Sequence, residues 1–352
     1  MCATAVLFAL GGWSVFRALD GAGAPSPDRS AASSTLPTIA LDTAAARAVT
    51  KIELTQPQSV DEDPHHHSVT ITAVTSGQDD GWAITSPIRT RASASKVVAL
   101  LDNLKDVSVR ESIDRGATAY DLYQLTDAEA LHVVVWDARG KVRDLYFGRS
   151  DARGQLIRIA GTDGVFAIPN SGPHAYSGFL FTRGLRSWRD AGILEFEEDA
   201  AVEVEVTNRS GRLDFTKDDG GWSGSIRRRA RDGILGDPEP RWPGFDATKV
   251  DALVRAYRSL SADDFGDDRQ RAGSGVDDAE RTGGVIRIRL KGARGDRVVR
   301  VGNPSTNTGR WAIKESRWAI LQGGDGTLYA LAPWTADWAT AGESQFESRH
   351  AP

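Results

Sequence analysis

Three adjacent imidazoles, His65-His66-His67, form the densest group of metal-ligating side chains in the chain, with Asp61, Glu62 and Asp63 just before them. Imidazole suits transition metals. Consecutive residues of an extended segment point to opposite faces, however, and neither a cysteine nor a carboxylate stands at a zinc-site spacing. The cluster therefore reads as a solvated loop, and His65, His66 and His67 remain only weak metal candidates. His132 lies beside a strand run and reads as structural, His350 falls in a polar end segment, and His174 is isolated. The acidic pairs Asp79-Asp80, Asp218-Asp219, Asp263-Asp264, Asp267-Asp268 and Asp277-Asp278 lack the alternating ligand spacing of a calcium loop; the first two are explained by turns. Arg227-Arg228-Arg229 with Arg231 is a local basic patch, read as a solvated loop in preference to a lipid or partner contact. Gly221-Trp222-Ser223-Gly224 lacks the second glycine of a nucleophile elbow, and nothing fits a phosphate loop or a dinucleotide fingerprint. Trp82, Trp222, Trp311 and Trp318 could stack on sugars, but each lies in an alternating run and is expected to pack on a sheet. No catalytic residue and no cofactor is assigned.

The chain bounds what such residues could serve. Its 352 residues suit two domains better than one. With 43 basic against 48 acidic residues, the net charge of −5 argues against nucleic acid as a partner. Cys2 is the single cysteine, so no internal disulfide forms.

The segment 1–19 is apolar up to Arg17. It is shorter than the ~20 residues a spanning helix needs and lacks the basic start of a signal peptide. The reading is an uncleaved membrane anchor, with its true start upstream, in preference to a removed signal peptide. Residues 20–43, rich in Ala, Gly, Ser and Pro, read as a flexible linker.

The elements that must position everything else come in two rounds. In the first, 44–190, the alternation of 49–54 and 68–74 predicts strands, and Asp79-Asp80-Gly81 predicts the hairpin turn between the second of them and a strand that carries Trp82 and ends at Pro87. Val97, Leu100, Leu101 and Leu104 then take helical spacing, with Ser93 or Ser95 as cap. Strands follow at 131–136, 142–147 (closed by Gly148), 156–159 and 165–168, then a short helical finish through Phe179, Leu180, Leu185 and Trp188. The second round, 191–338, repeats this order. It has strands at 202–206 and 213–216, the turn Asp218-Asp219-Gly220, and Gly221-Trp222. A proline-bearing insertion precedes a helix with Val250, Leu253, Val254, Tyr257 and Leu260 on one stripe and Asp246 or Thr248 as cap. A polar, mobile loop is expected over 266–284, then strands at 285–290, 297–301 (ending on Gly302), 311–313, 318–321 and 328–331; the polar tail 339–352 is expected to fray. The recurring anchors are Gly81, Trp82, Leu100 and Gly148, matched by Gly221, Trp222, Leu253 and Gly302. The expected fold is α+β: a tandem duplication of two antiparallel-sheet modules, each covered by one main helix.

Gly81-Trp82, Pro87, the Val97 to Leu101 helix, Tyr120-Asp121-Leu122, Phe147-Gly148 and Trp188-Arg189-Asp190 together resemble an uncharacterised bacterial family, domain of unknown function 4340. Asp121 departs from the family's usual glycine, and the second module lacks a clear Tyr-Gly-Leu element. The resemblance covers about 44–338. It implies anchoring to the bacterial inner membrane with the bulk of the chain periplasmic, and genes beside ABC-type transporter components related to gliding-motility systems. It implies no catalytic residues. The expected function is a non-enzymatic envelope accessory or scaffolding protein, with inner-membrane transporter subunits as partners. The alternatives are an extracytoplasmic glycan- or peptidoglycan-binding module and an envelope hydrolase.

Overall fold

Alternating burial builds the first sheet. In β1 (Val49–Thr55) the side chains of Val49, Ile52 and Leu54 turn inward. To one side lie β2 (Ser68–Ser76), β3 (Asp79–Ser86) and the two-residue β4 (Thr90–Arg91). To the other lie β6 (Leu131–Asp137), β7 (Gly140–Asp151), β8 (Gly154–Ile159) and β9 (Thr162–Ile168), with β5 (Glu111–Asp114) at the far edge. Two short helices, α1 (Thr43–Arg47) and α3 (Leu185–Trp188), flank the longer α2 (Ala94–Asp106). Helix α2 buries Val97, Leu100, Leu101 and Leu104 against the sheet, at about 1.5–3 kcal/mol for each such side chain.

A second sheet follows the small two-stranded pairing of β10 (Gly192–Glu195) with β14 (Ser259–Ser261). Its strands are β11 (Ala201–Asn208), β12 (Gly211–Asp218), β13 (Gly221–Arg228), β15 (Asp264–Phe265), β16 (Gly284–Leu290), β17 (Arg297–Pro304), β18 (Arg317–Leu321) and β19 (Tyr329–Leu331). Helix α4 (Ala247–Tyr257) lays Val250, Leu253, Val254 and Tyr257 on it, capped by the Asp246 carboxylate, which accepts from the Thr248 amide. Three shorter helices, α5 (Asp268–Arg271), α6 (Ala279–Thr282) and α7 (Pro333–Thr340), complete the chain.

The computed structural model describes residues 36–57, 67–76, 79–239, 241–292, 295–307 and 312–348. Among these, the chain is α+β, with two large antiparallel sheets of nine and eight strands and several short helices. The orders are β4-β3-β2-β1-β6-β7-β8-β9-β5 and β13-β12-β11-β16-β17-β18-β19-β15. The registers correspond as well. Leu54 faces Val133, which faces Leu145; Val206 faces Ile286, which faces Val299. Phe147 stands between Leu131 and Ile157, and Val301 stands between Gly284 and Ala319. Both sheets belong to one compact unit, Pro37–Pro352. Among the described residues no helix is long and apolar enough to cross a membrane; the expected anchor 1–19 lies outside them.

Several expectations are corrected. Asp79 and Asp80 are not the turn: they pair with Ser76 and Thr75 inside the β2–β3 ladder. In the second sheet the turn is where expected, with Asp218 paired to Gly221 and its carboxylate accepting from the Gly220 amide. Arg227 and Arg228 belong to β13, not to a loop, and Leu260 sits in β14, past the end of its helix. The segment 266–284 is built, with α5, α6 and a 3-10 turn at Val276–Asp278. Ala312 and Ile313 are not in a strand, and Trp311 lies outside the described residues. The expected linker ends early, because Ile39 and Leu41 are buried in the first core and the Leu41 amide donates to the Leu104 carbonyl. The expected frayed tail packs as far as Ser348: Ala339, Ala341 and Phe346 are buried in the second core, and the Asp246 amide donates to the Phe346 carbonyl. The short strands β4, β5, β10, β14 and β15 were not expected; each has two to four residues, too few for alternation to register.

Candidate functional site

Strand β7 passes under the turn at 120–125 with no room for a side chain. A Cβ on Gly148 would stand 2.3 Å from the Tyr123 carbonyl oxygen and 2.8 Å from that of Gln124. The turn is clamped in place: the Arg149 amide donates to the Tyr123 carbonyl at 3.0 Å, and the Leu125 amide to the Tyr120 carbonyl at 2.7 Å. Gln124 takes a positive φ of 56°, uncommon for a residue with a side chain. From β8, Gln155 donates through Nε2 to the Gly148 carbonyl at 2.7 Å and to that of Leu156 at 3.0 Å.

Beside this contact opens a cleft of about 490 Å³, within the range of small-ligand pockets. Leu131, Phe147 and Tyr176 make its apolar wall, and the two rings stack at 4.5 Å and 14°. Burial pushes the Tyr176 hydroxyl well above the ordinary tyrosine range. Gln124, Glu129, Gln155 and Thr182 supply the polar groups. Glu129 accepts from the Thr126 hydroxyl at 2.8 Å, and no cation pairs with it among the described residues. Gln155 Oε1 likewise meets no donor among them. At the end of β1, Gln56 Nε2 donates to the carbonyls of Phe181 and Arg183 at 3.1 and 3.4 Å, and the Trp188 indole also donates to Arg183 at 3.0 Å. These bonds hold the segment 178–188 in place.

The corresponding positions of the second sheet use other side chains to a similar end. Asn208 Nδ2, at the end of β11, donates to the Ala339 and Ala341 carbonyls at 3.2 and 2.9 Å. A Cβ on Gly302 would stand 2.1 Å from the Ser274 carbonyl oxygen. In register with Gln155 is Arg317, whose Nε donates to the Gly302 carbonyl at 3.0 Å and whose Nη2 reaches the Thr282 carbonyl at 2.6 Å. In register with Leu131 is Gly284, where a Cβ would meet the Ala339 carbonyl oxygen at 1.9 Å. Without a side chain there, α7 lies directly on the strand.

A second cluster joins the two sheets. Arg189 is 7 % exposed, its guanidinium 4.2 Å above the Phe265 ring, with Nη1 donating to the Gly266 carbonyl at 3.3 Å. Burial lowers its pKa to about 10. Arg186 reaches the Asp263 carbonyl at 2.5 Å and the Asp264 carboxylate at 2.8 Å. Arg91 donates to the Gly192 carbonyl at 2.6 Å, and the buried hydroxyls of Thr90 and Thr327 meet at 3.0 Å.

The remaining candidates resolve individually. His132 is bonded to Asp144 at 2.7 Å and stacked on Tyr146 at 3.9 Å, in a row on the open face of the first sheet; Arg158 lies 3.4 Å over the same ring. His174 Nδ1 meets the Asp106 carbonyl at 2.7 Å. His65, His66 and His350 lie outside the described residues, and His67 immediately precedes β2. Asp267 forms a capping box with Gln270, Asp277 pairs with Arg271 and Asp278 with Arg281. Arg227 bonds Asp214, Arg228 bonds Glu239 and Glu343, and Arg229 bonds Glu280. Among the described residues no three metal-ligating side chains converge. Trp222 and Trp318 are buried and Trp82 is half-buried against the first core; the Trp222 indole donates to Asp251 of α4 at 2.8 Å. Of the anchors, Leu100 and Leu253 are fully buried under their helices. Gly81 pairs with Val74, and Gly221 with Asp218.

Gln155, Glu129 and Leu131 were not singled out in the sequence. The one usable signal was Gly148, a glycine in a strand, which marks a close backbone approach. Among known families, the model described as "Domain of unknown function (DUF4340)" matches residues 82–282. No curated protein and no solved structure matches the chain.

Proposed function

Because the chain belongs to the family of the domain of unknown function DUF4340, which spans more than half of it, we propose that it is a non-enzymatic scaffold of the bacterial envelope. In this reading it is held at the inner membrane by its N-terminal segment, with its two sheets on the periplasmic side, and serves an ABC-type transport or gliding-motility-like assembly. The two halves, 44–190 and 191–338, are tandem copies of one ancestral module. The matching strand orders, the Gly148 and Gly302 contacts, and the paired grips of Gln56 and Asn208 support the duplication.

The observation that carries the scaffold reading is the joint. Arg189 is buried on Phe265, and Arg186, Arg91 and the Thr90–Thr327 pair bond across it. Such a joint supports two modules presented at a fixed angle, and each keeps a sheet face open and lined with paired charges. On the second sheet these are Arg212 with Glu205 and Asp214, Arg287 with Asp296, and Arg289 with Glu203. Exposed pairs of this kind add little stability but set the register of a docking partner. Of the four tryptophans weighed for stacking on glycan, Trp222 and Trp318 are buried and so do not serve it. The test is purification from bacterial membranes in mild detergent. Transporter subunits are expected to co-elute; recovery as a lone soluble monomer, with none in the membrane fraction, sinks the proposal.

A further inference from the structure

The two sheets answer the same local problem differently, and the difference defines a ligand. In the second, Arg317 spans from the Gly302 carbonyl to the Thr282 carbonyl, and Gly284 lets α7 lie on the strand. In the first, the shorter Gln155 takes only the equivalent of the first bond, to Gly148. Leu131 stands where Gly284 would be, and a cleft of about 490 Å³ is left beside them. Glu129 and Thr282 each stand two residues before the position where the matching pairings begin, at Leu131 and Gly284, and the exposed Glu129 carboxylate lines the cleft without a cation partner among the described residues. Arg149 and Arg183, the nearest arginines in sequence to the lining residues, lie over the rings of Tyr123 and Phe179.

We propose that this cleft receives an arginine side chain of a partner polypeptide, in the place that the chain's own Arg317 fills in the other sheet. The guanidinium lies between the Glu129 carboxylate and Gln155 Oε1, its bond to the carboxylate being charge-assisted, and the aliphatic stem lies along Leu131 and Phe147. The comparison with Arg317 rests on reading the halves as copies; the acceptors in the cleft do not.

The test is saturation-transfer NMR on the full chain in detergent, with N-acetyl-arginine amide, its neutral isostere N-acetyl-citrulline amide, and the peptide acetyl-Gly-Arg-Gly-amide as probes. Both arginine probes are expected to bind, the peptide at least as well as the single residue, and citrulline at least tenfold more weakly. Glu129→Gln is expected to weaken arginine binding tenfold or more. Gln155→Arg, which supplies the internal guanidinium, is expected to abolish it with the melting temperature kept. Equal binding of citrulline, or arginine binding untouched in both variants, overturns the proposal. So does binding of the single residue with exclusion of the peptide. If Gln155→Arg fails to fold, Glu129→Gln decides alone. Loss of the proposal in this way leaves co-purification with a transporter untouched, and the reverse holds too.

Discussion

Gly148 offers the sharpest test of how β7 is packed. Alanine there would bring Cβ to 2.3 Å from the Tyr123 carbonyl oxygen, 2.8 Å from that of Gln124 and 2.9 Å from the Leu125 side chain, closer than carbon atoms approach in real structures. Two of the three obstacles are backbone. The Tyr123 carbonyl also accepts the Arg149 amide, so moving it away breaks a hydrogen bond as well. Overpacking of this kind costs about 1–3 kcal/mol, and the lost bond about 0.5–1.5 kcal/mol more. Against this, alanine gains about 0.4–1 kcal/mol by restricting the unfolded chain. The net expectation for Gly148→Ala is a loss of about 0.5–4 kcal/mol, with a middle value of about 2 kcal/mol, which is roughly 4–8 °C in melting temperature for a unit of 150–250 residues. Urea titration followed by tryptophan fluorescence, with a thermal scan by circular dichroism, measures both. Gly81→Ala is the internal control: nothing lies within 4 Å of its Cβ, and a change within about 0.5 kcal/mol is expected. A Gly148→Ala protein that melts with the wild type refutes the contact and, with it, the wall of the cleft.

Gly302→Ala meets the Ser274 carbonyl oxygen at 2.1 Å and is expected to cost as much as Gly148→Ala by overpacking, about 1–3 kcal/mol; a neutral result in the same titration would separate the two halves. Phe346→Ala removes a fully buried ring that packs on Phe215 at 4.7 Å and on Trp338 at 5.7 Å, and a loss of about 3–5 kcal/mol is expected; a denaturation midpoint unchanged from wild type would show the end segment to be loose. Arg189→Ala forfeits a desolvated cation–π contact worth about 2 kcal/mol, and calorimetry is expected to resolve a single transition into two as the joint loosens. The Asp246 cap is held below the ordinary carboxylate range by the Thr248 hydroxyl and amide. A depressed folded pKa means that its contribution is complete above the unfolded value and drains as pH falls through the folded one. Asp246→Asn is accordingly expected to flatten the acid limb of melting temperature against pH between about pH 5 and pH 2, with little change at pH 7.

How much of this was legible in the sequence follows from how local each cause is. Helix α2 was legible because Val97, Leu100, Leu101 and Leu104 repeat at a helical period and bury together. The turn at Asp218 was legible because its carboxylate closes the bend itself. The same dipeptide misled at Asp79-Asp80, where the chain reverses earlier and both residues enter the ladder; composition marks a turn but does not fix its register. The tail looked polar because its apolar residues are sparse, yet Phe346 finds a site already built by Phe215 and Trp242, and only the tertiary fold shows it.

The cleft was illegible for a deeper reason. It arises from a relation between residues more than a hundred and fifty positions apart that never touch: Leu131 against Gly284, and Gln155 against Arg317. Neither member of either pair is unusual alone. Set in register, they show that one sheet closes its interior with a guanidinium and a helix laid on a bare strand. In the other, a leucine stands at the bare position, a cleft remains, and the exposed Glu129 carboxylate, bonded to the Thr126 hydroxyl, lines it. A guanidinium entering from outside would meet the exposed Glu129 carboxylate and the Gln155 amide among the lining groups, which is why the citrulline arm of the binding test discriminates and a measurement of cleft volume would not.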